Sequence, residues 1–403
     1  MGIAAKSFFG WHVVTAAFVL AMFSWGINFY GPSVYLHALH AREGWSASLI
    51  AAAITLHFLA SGAIVLILPR LHRRFGLVAV TRAGMLACAL GVLGWGFAQH
   101  PWQLVPAALL TAMGWAVTSG AAINAFVAPW FDRRRPAALA MAYNGASLGG
   151  VVFTPVWALL IGAFGFAQAS LVVAALAVLV TWPLAGWYFR PTPEGMGLHP
   201  DGAALPPAPR PLRPASGPLW RQAPFRSLSL AFALGLTAQM GLLTTLFSIL
   251  APSLGEQGAG WTMSLATACA VIGRTVVGMA LPPGLDRRRV GVLNFLLQAV
   301  GCAILAMAMG GAGMLVLGAV LFGLGIGNLL SLPPLIAQAE WPAAEVAAVI
   351  ALVTAVNQAM YAFGPGAFGL ALDIWGAWAP PAVACLLQLV AAMVLAQRGR
   401  ATA

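Results

Sequence analysis

Charge is scarce in this sequence. Asp, Glu, Lys and Arg make up 7% of 403 residues, only nine of them acidic, and Lys6 is the single lysine. A soluble domain is about a quarter charged, so one water-exposed globule is excluded. Cysteine is sparse as well: Cys88, Cys269, Cys302 and Cys385 all lie in apolar runs, without the spacing of a metal site or a disulfide framework. They read as small core residues. No Walker loop or paired carboxylate in an apolar segment is present, so an ATP-driven pump or an intramembrane hydrolase has little support. No cofactor and no metal are expected.

What the sequence does have is apolar length. It is 61% hydrophobic, with a mean hydropathy of +0.90, more apolar surface than one core encloses. A hydrocarbon layer about 30 Å thick takes roughly 20 helical residues to cross. Twelve such runs are expected, at 12–38, 46–68, 77–98, 102–127, 137–163, 166–188, 225–251, 260–282, 288–308, 311–337, 344–371 and 375–397. The first is too long for a cleaved signal and reads as a span. The chain is therefore expected to be an all-α integral membrane protein, with lipid as its solvent and nucleic acid excluded as a partner.

The formal charge of +11 is distributed unevenly. Eighteen of the twenty basic residues fall in alternate connections, including Arg70, Arg73, Arg74, Arg82, Arg133 to Arg135, Arg190 and Arg287 to Arg289. Arg42 alone marks the opposite side. By the positive-inside rule both termini are cytoplasmic. The stretch 189–224 is rich in proline and arginine and reads as a cytoplasmic linker without a packed core. It separates a six-helix half, 1–188, from a second six-helix half, 225–403. Transporters with repeated halves bind substrate near the bilayer midplane.

Arg274 is the one formally charged residue deep in a span. It lies about 14 residues from the span's outer end, roughly 20 Å at 1.5 Å per residue, which is too far to snorkel easily. A central arginine costs about 2.5–3.5 kcal/mol to insert, so it needs a polar cavity and an anionic partner. The sequence supplies no carboxylate at that depth. A substrate carboxylate fits, because the guanidinium fork holds both oxygens. The plainer alternative has Arg274 bonding backbone carbonyls or reaching cytoplasmic water.

Other polar residues within spans include Asn28, His57, Asn124, Tyr143, Asn144, Gln239, Gln298, Asn328, Asn357, Gln358 and Tyr361. Asn28, Tyr143, Asn144, Asn328, Asn357, Gln358 and Tyr361 are candidate cavity lining; each equally suits an interhelical hydrogen bond. Tyr361 shares a helical face with Asn357 and Gln358. His57 is the deep group able to titrate near neutrality and is a candidate proton carrier. Gly145-Ala146-Ser147-Leu148-Gly149 fits the hydrolase pattern G-x-S-x-G but sits inside an apolar helix, where small residues serve close packing.

Several segments resemble the monocarboxylate and oxalate/formate carriers of the major facilitator superfamily. These are Gly10-Trp11-His12-Val13, Gly44-Trp45-Ser46, the stretch from Trp130-Phe131-Asp132-Arg133 to Ser147, and Gly364-Pro365 with Gly369, Asp373 and Gly376. The resemblance implies the major facilitator fold, alternating access, and Arg274 as the counterpart of a carboxylate-binding arginine on the eighth helix. Ala270 stands where proton-coupled relatives often carry an acid one turn before it. Arg73 replaces the acidic member of the gating loop between the second and third spans. Arg73, Arg74, Asp286, Arg287 and Asp373 are the candidate gating residues. The expected cargo is a small monocarboxylate-type anion, moved by symport, antiport or uniport with a proton or counter-anion as possible partner, and a monomer suffices. The rival reading is proton-coupled efflux of drugs or other hydrophobic solutes, which favours cavity acids that are missing here. Abundant Ala, Gly, Arg and Pro point to a bacterial inner membrane.

Overall fold

A computed structural model describes residues 8–203, 218–280, 286–308 and 310–397, so that 204–217 of the expected linker lie outside the described residues. Among the described residues there is helix and no strand. In chain order the helices are α1 (Phe9–Asn28), α2 (Gly31–Glu43), α3 (Ala47–Phe75), α4 (Leu77–Gly96), α5 (Leu104–Thr118), α6 (Gly120–Val127), α7 (Arg135–Phe164) and α8 (Phe166–Tyr188). They are followed by α9 (Ala223–Ala280), α10 (Arg287–Met307), α11 (Ala312–Ile326), α12 (Asn328–Glu340), α13 (Ala343–Tyr361), α14 (Gly364–Trp375) and α15 (Ala379–Ala396).

Eleven helical stretches among the described residues are long and apolar enough to cross a membrane, with Ala223–Val277 counted once. Unbroken, the 58 residues of α9 would reach about 87 Å, nearly three hydrocarbon thicknesses. Gly255 interrupts it with φ 70° and ψ 165°, a conformation that needs glycine.

Four expected spans that read as continuous are each made of two helices. The breaks fall between α1 and α2, α5 and α6, α11 and α12, and α13 and α14. Gly31-Pro32, Ser119-Gly120, Gly327 and Gly364-Pro365 stand at them. Glycine relaxes the helix there, and proline supplies no N–H to the preceding turn. Hydropathy averages over such breaks and cannot see them.

The described residues form two compact units. The first takes 8–31, 60–153 and 163–203; the second takes 32–59, 154–162 and everything described from 218 onward. In the first, α7 lies against α1 through Gly145 and Gly149. A methyl group at Gly145 would collide with the Phe18 carbonyl, and one at Gly149 would lie 2.5 Å from the Met22 carbonyl. The G-x-S-x-G segment is a helix contact. Near the linker, Asp201 accepts hydrogen bonds from the backbone N–H groups of Asp132 (3.1 Å), Arg133 (2.7 Å) and Arg134 (3.3 Å), which holds the linker's start on the turn before α7.

In the second unit a buried cluster that includes Leu228, Phe232, Phe295, Leu332 and Leu395 joins α9, α10, α12 and α15. Lipid tails are as apolar as these side chains, so dispersion from close fit holds the cluster, rather than escape from water.

Candidate functional site

Arg274 lies half-buried on α9. Its rotation is fixed by neighbours without side chains: a methyl at Gly273 would strike the Leu324 carbonyl of α11, and one at Gly327 would lie 3.1 Å from Arg274 Cβ. Backbone therefore meets backbone on one side of α9, and Arg274 stands at the edge of that contact, its Cβ beside Gly327. Ala270, one turn earlier, is buried.

Asn357 is 5% exposed, and its Oδ1 has no hydrogen-bond partner among the described residues. Gln358 and Tyr361 on the same helix are half-buried. Tyr361 meets Phe58 edge-on with ring centroids 5.9 Å apart, and Phe58 meets His57 at 4.7 Å. The structure thus brings His57, Phe58 and Tyr361 together, with His57 buried. Tyr361 and Val277, one turn from Arg274, both rest on the buried cluster of this unit.

Three other candidates are engaged by protein. Asn28 donates to the Ser24 carbonyl at 3.1 Å and lies 3.4 Å from Cys88 Sγ. The Tyr143 hydroxyl donates to the Gly120 carbonyl at 2.8 Å, beside Trp25. Asn328 donates to Asn294 Oδ1 at 2.9 Å, and Asn294 in turn donates to the Gly325 carbonyl, tying α10 to the α11–α12 junction. Asn144 differs from these: it lies on an exposed stripe of α7 with Met141, Leu148 and Val152.

Among the gating candidates, Arg73 and Arg74 are exposed on the last turn of α3, and Arg74 lies over the Phe75 ring at 5.2 Å. Asp286 caps α10, accepting from Arg288 N at 3.0 Å, and Arg287 donates to the Leu335 carbonyl. Asp373 accepts from the first N–H groups of α3, those of Ala47 (2.9 Å) and Ser48 (2.6 Å). Its motif partners are explained by the same packing. Gly364 faces the Thr237 carbonyl of α9, Gly369 faces the Ala47 carbonyl of α3, and Gly376 ends α14 with φ 83°.

Sequence reading missed a clamp. Arg288 is 3% exposed and grips Glu340 through both oxygens, at 2.6 and 2.8 Å. It also donates to the Ser227 hydroxyl and the Pro224 carbonyl, each at 2.8 Å. The beginnings of α9 and α10 and the end of α12 meet on one guanidinium. The surface arginine run hid it, since Arg287, Arg288 and Arg289 look alike in sequence.

Comparison with known proteins gives a consistent picture. The profile described as Major Facilitator Superfamily matches residues 13–365. Monocarboxylate transporter 13 of Bos taurus is 28% identical over 176 residues, 42% of this chain and 39% of that protein. The matched region therefore spans well under half the length of that curated relative. Among solved structures, a point mutant of the nucleoside transporter NupG superposes with TM-score 0.75 at 10% identity, covering 96% of this chain and 99% of that one. A bacterial homolog of the human lysosomal transporter Spinster, inward-facing and occupied, gives TM-score 0.66 at 12% identity, covering 96% and 94%.

Proposed function

This chain belongs to the major facilitator superfamily, as an integral membrane transporter of a small molecule and not an enzyme, and on that premise we propose that it carries small monocarboxylate-type anions by alternating access. Arg274 is the anchor. The observation that carries this reading is a half-buried guanidinium on an apolar, membrane-crossing helix, where a charged side chain is costly and marks a functional position. Asn357, with an acceptor that no described residue uses, supports a hydrogen-bonding role for α13 toward the rest of the solute, alongside Gln358 and Tyr361. The similarity to a monocarboxylate transporter supports the substrate class.

In this reading the chain crosses the membrane twelve times, with 223–277 crossing twice about Gly255. Both termini face the cytoplasm, the halves are 1–188 and 225–403, and the site is a bacterial inner membrane. His57 is the candidate for carrying a coupled proton. Arg73, Arg74, Asp286, Arg287 and Asp373 govern opening.

Uptake of labelled monocarboxylates into proteoliposomes tests the anchor. Arg274→Ala is expected to abolish uptake while the protein still reconstitutes, and Arg274→Lys to restore only part, because an ammonium lacks the fork. Equal uptake by Arg274→Ala and the parent refutes the assignment. A pH-sensitive dye inside the vesicles reports proton movement, which His57→Gln is expected to remove.

A further inference from the structure

A second polar centre lies in the second unit, on α9, α10 and α15. Gln298 and Gln388 are completely buried and Gln239 is 3% exposed. Gln388 Nε2 donates to the Gly235 carbonyl at 3.3 Å and to Gln298 Oε1 at 3.1 Å. These bonds fix both amide orientations: the end of Gln388 facing a carbonyl must be its NH2, and the end of Gln298 facing that NH2 must be its oxygen. Three atoms then have no hydrogen-bond partner among the described residues: Gln298 Nε2, Gln388 Oε1 and Gln239 Oε1. Gln239 stands one turn beyond Gly235, on the same face of α9 as the carbonyl that holds Gln388.

We propose that α9, α10 and α15 enclose an internal water molecule held by Gln298, Gln388 and Gln239. One donor and two acceptors are the complement of one water, which accepts one hydrogen bond and donates two. Each such atom left bare inside a membrane protein costs several kcal/mol, more than immobilising a water. A metal cation suits the site poorly, because α10 and α15 contribute no carboxylate. Gly325 makes room for the Gln298 amide: a methyl there would lie 2.7 Å from Nε2. This site is separate from Arg274 and does not depend on the substrate assignment.

Radiolytic footprinting tests it, because bound water generates hydroxyl radicals where bulk solvent cannot reach. The reporter is Cys302, one turn from Gln298 and fully buried. Purified full-length protein is irradiated in oxygen-18 water and oxidation is mapped by mass spectrometry. In the parent, Cys302 takes up label; in a Gln298→Leu, Gln388→Leu double variant that label is lost while Met196, exposed outside the membrane-crossing helices, labels equally in both. An unlabelled Cys302 in the parent, or undiminished label in the variant, overturns the proposal. Should the double variant fail to fold, Gln239→Leu, which leaves the Gln388–Gly235 bond intact, is read the same way.

Discussion

Asp373 Oδ1 lies 2.9 Å from Ala47 N, and Oδ2 lies 2.6 Å from Ser48 N, so a carboxylate near the end of α14 caps the start of α3. Three residue pairs along the same two helices have no room to spare: Gly369 lies against Ala47 and Ala51, and Gly366 donates from its N–H to Thr55 Oγ1 at 2.9 Å. Replacing Asp373 with alanine leaves two N–H groups without their acceptor and removes a favourable charge at a helix N-terminus. The expected cost is about 1 kcal/mol, typical of a lost cap. A lower unfolding temperature and faster maleimide labelling of a cysteine placed at Ser48 are the measurable results; unchanged labelling would show that the cap does not hold this contact closed.

The Arg288–Glu340 pair makes a sharper prediction. Arg288→Ala leaves the Glu340 carboxylate, 29% exposed, without its partner, and losing hydrogen bonds to a charged group that still reaches water costs about 1.5–3 kcal/mol. A strong fall in thermal stability is expected. Replacing both partners together, as Arg288→Met with Glu340→Leu, is expected to recover most of the loss. A double variant as unstable as the single one would mean that the bonds to Ser227 and Pro224 dominate.

The two classes of buried amide separate in kinetics. Asn328→Ala breaks a bond between helices and is expected to lower stability by about 0.6–2 kcal/mol with little effect on KM. Asn357→Ala removes an acceptor that no described residue uses and is expected to raise KM severalfold at unchanged stability. Transport assays beside thermal unfolding check both, and the reverse pattern would exchange their roles.

Glycine substitutions test the helix contacts. Gly145→Ala and Gly273→Ala place a methyl against backbone and are expected to impair folding or shift the helices, whereas Gly62→Ala, with nothing within 4 Å of the added carbon, is expected to be neutral. Ser147→Ala is expected to leave activity intact, since its segment is a helix contact. Yields of monodisperse protein report the outcome.

The helical membrane class was legible because every run of twenty apolar residues carries the same message. Arg274 stood out in the sequence because it is one charge against lipid, and its proposed carboxylate-binding role starts from that contrast. The remaining features were illegible for a common reason. Asn28 and Asn357 are the same residue type in the same kind of segment, and only packing decides that one is bound to Ser24 and the other keeps a bare acceptor. Arg288 differs from its two neighbours only by the direction in which its helix turns it. Asp201 lies in the proline-rich stretch, and nothing in the sequence pairs it with the three N–H groups of a distant turn that it accepts from. The Gly364–Gly376 motif was recognisable as a pattern, yet its meaning as two close contacts, a cap and a helix end required coordinates.

The clamp at Arg288 also constrains how the protein is made. Arg288 and Glu340 are 52 residues apart, so at 5–20 residues per second the guanidinium is synthesised roughly three to ten seconds before its carboxylate exists. During that interval the charge has no place in lipid and must stay at the aqueous boundary. The nascent first turn of α10 is thereby kept from sliding into the bilayer until the helix that completes the pair has left the ribosome.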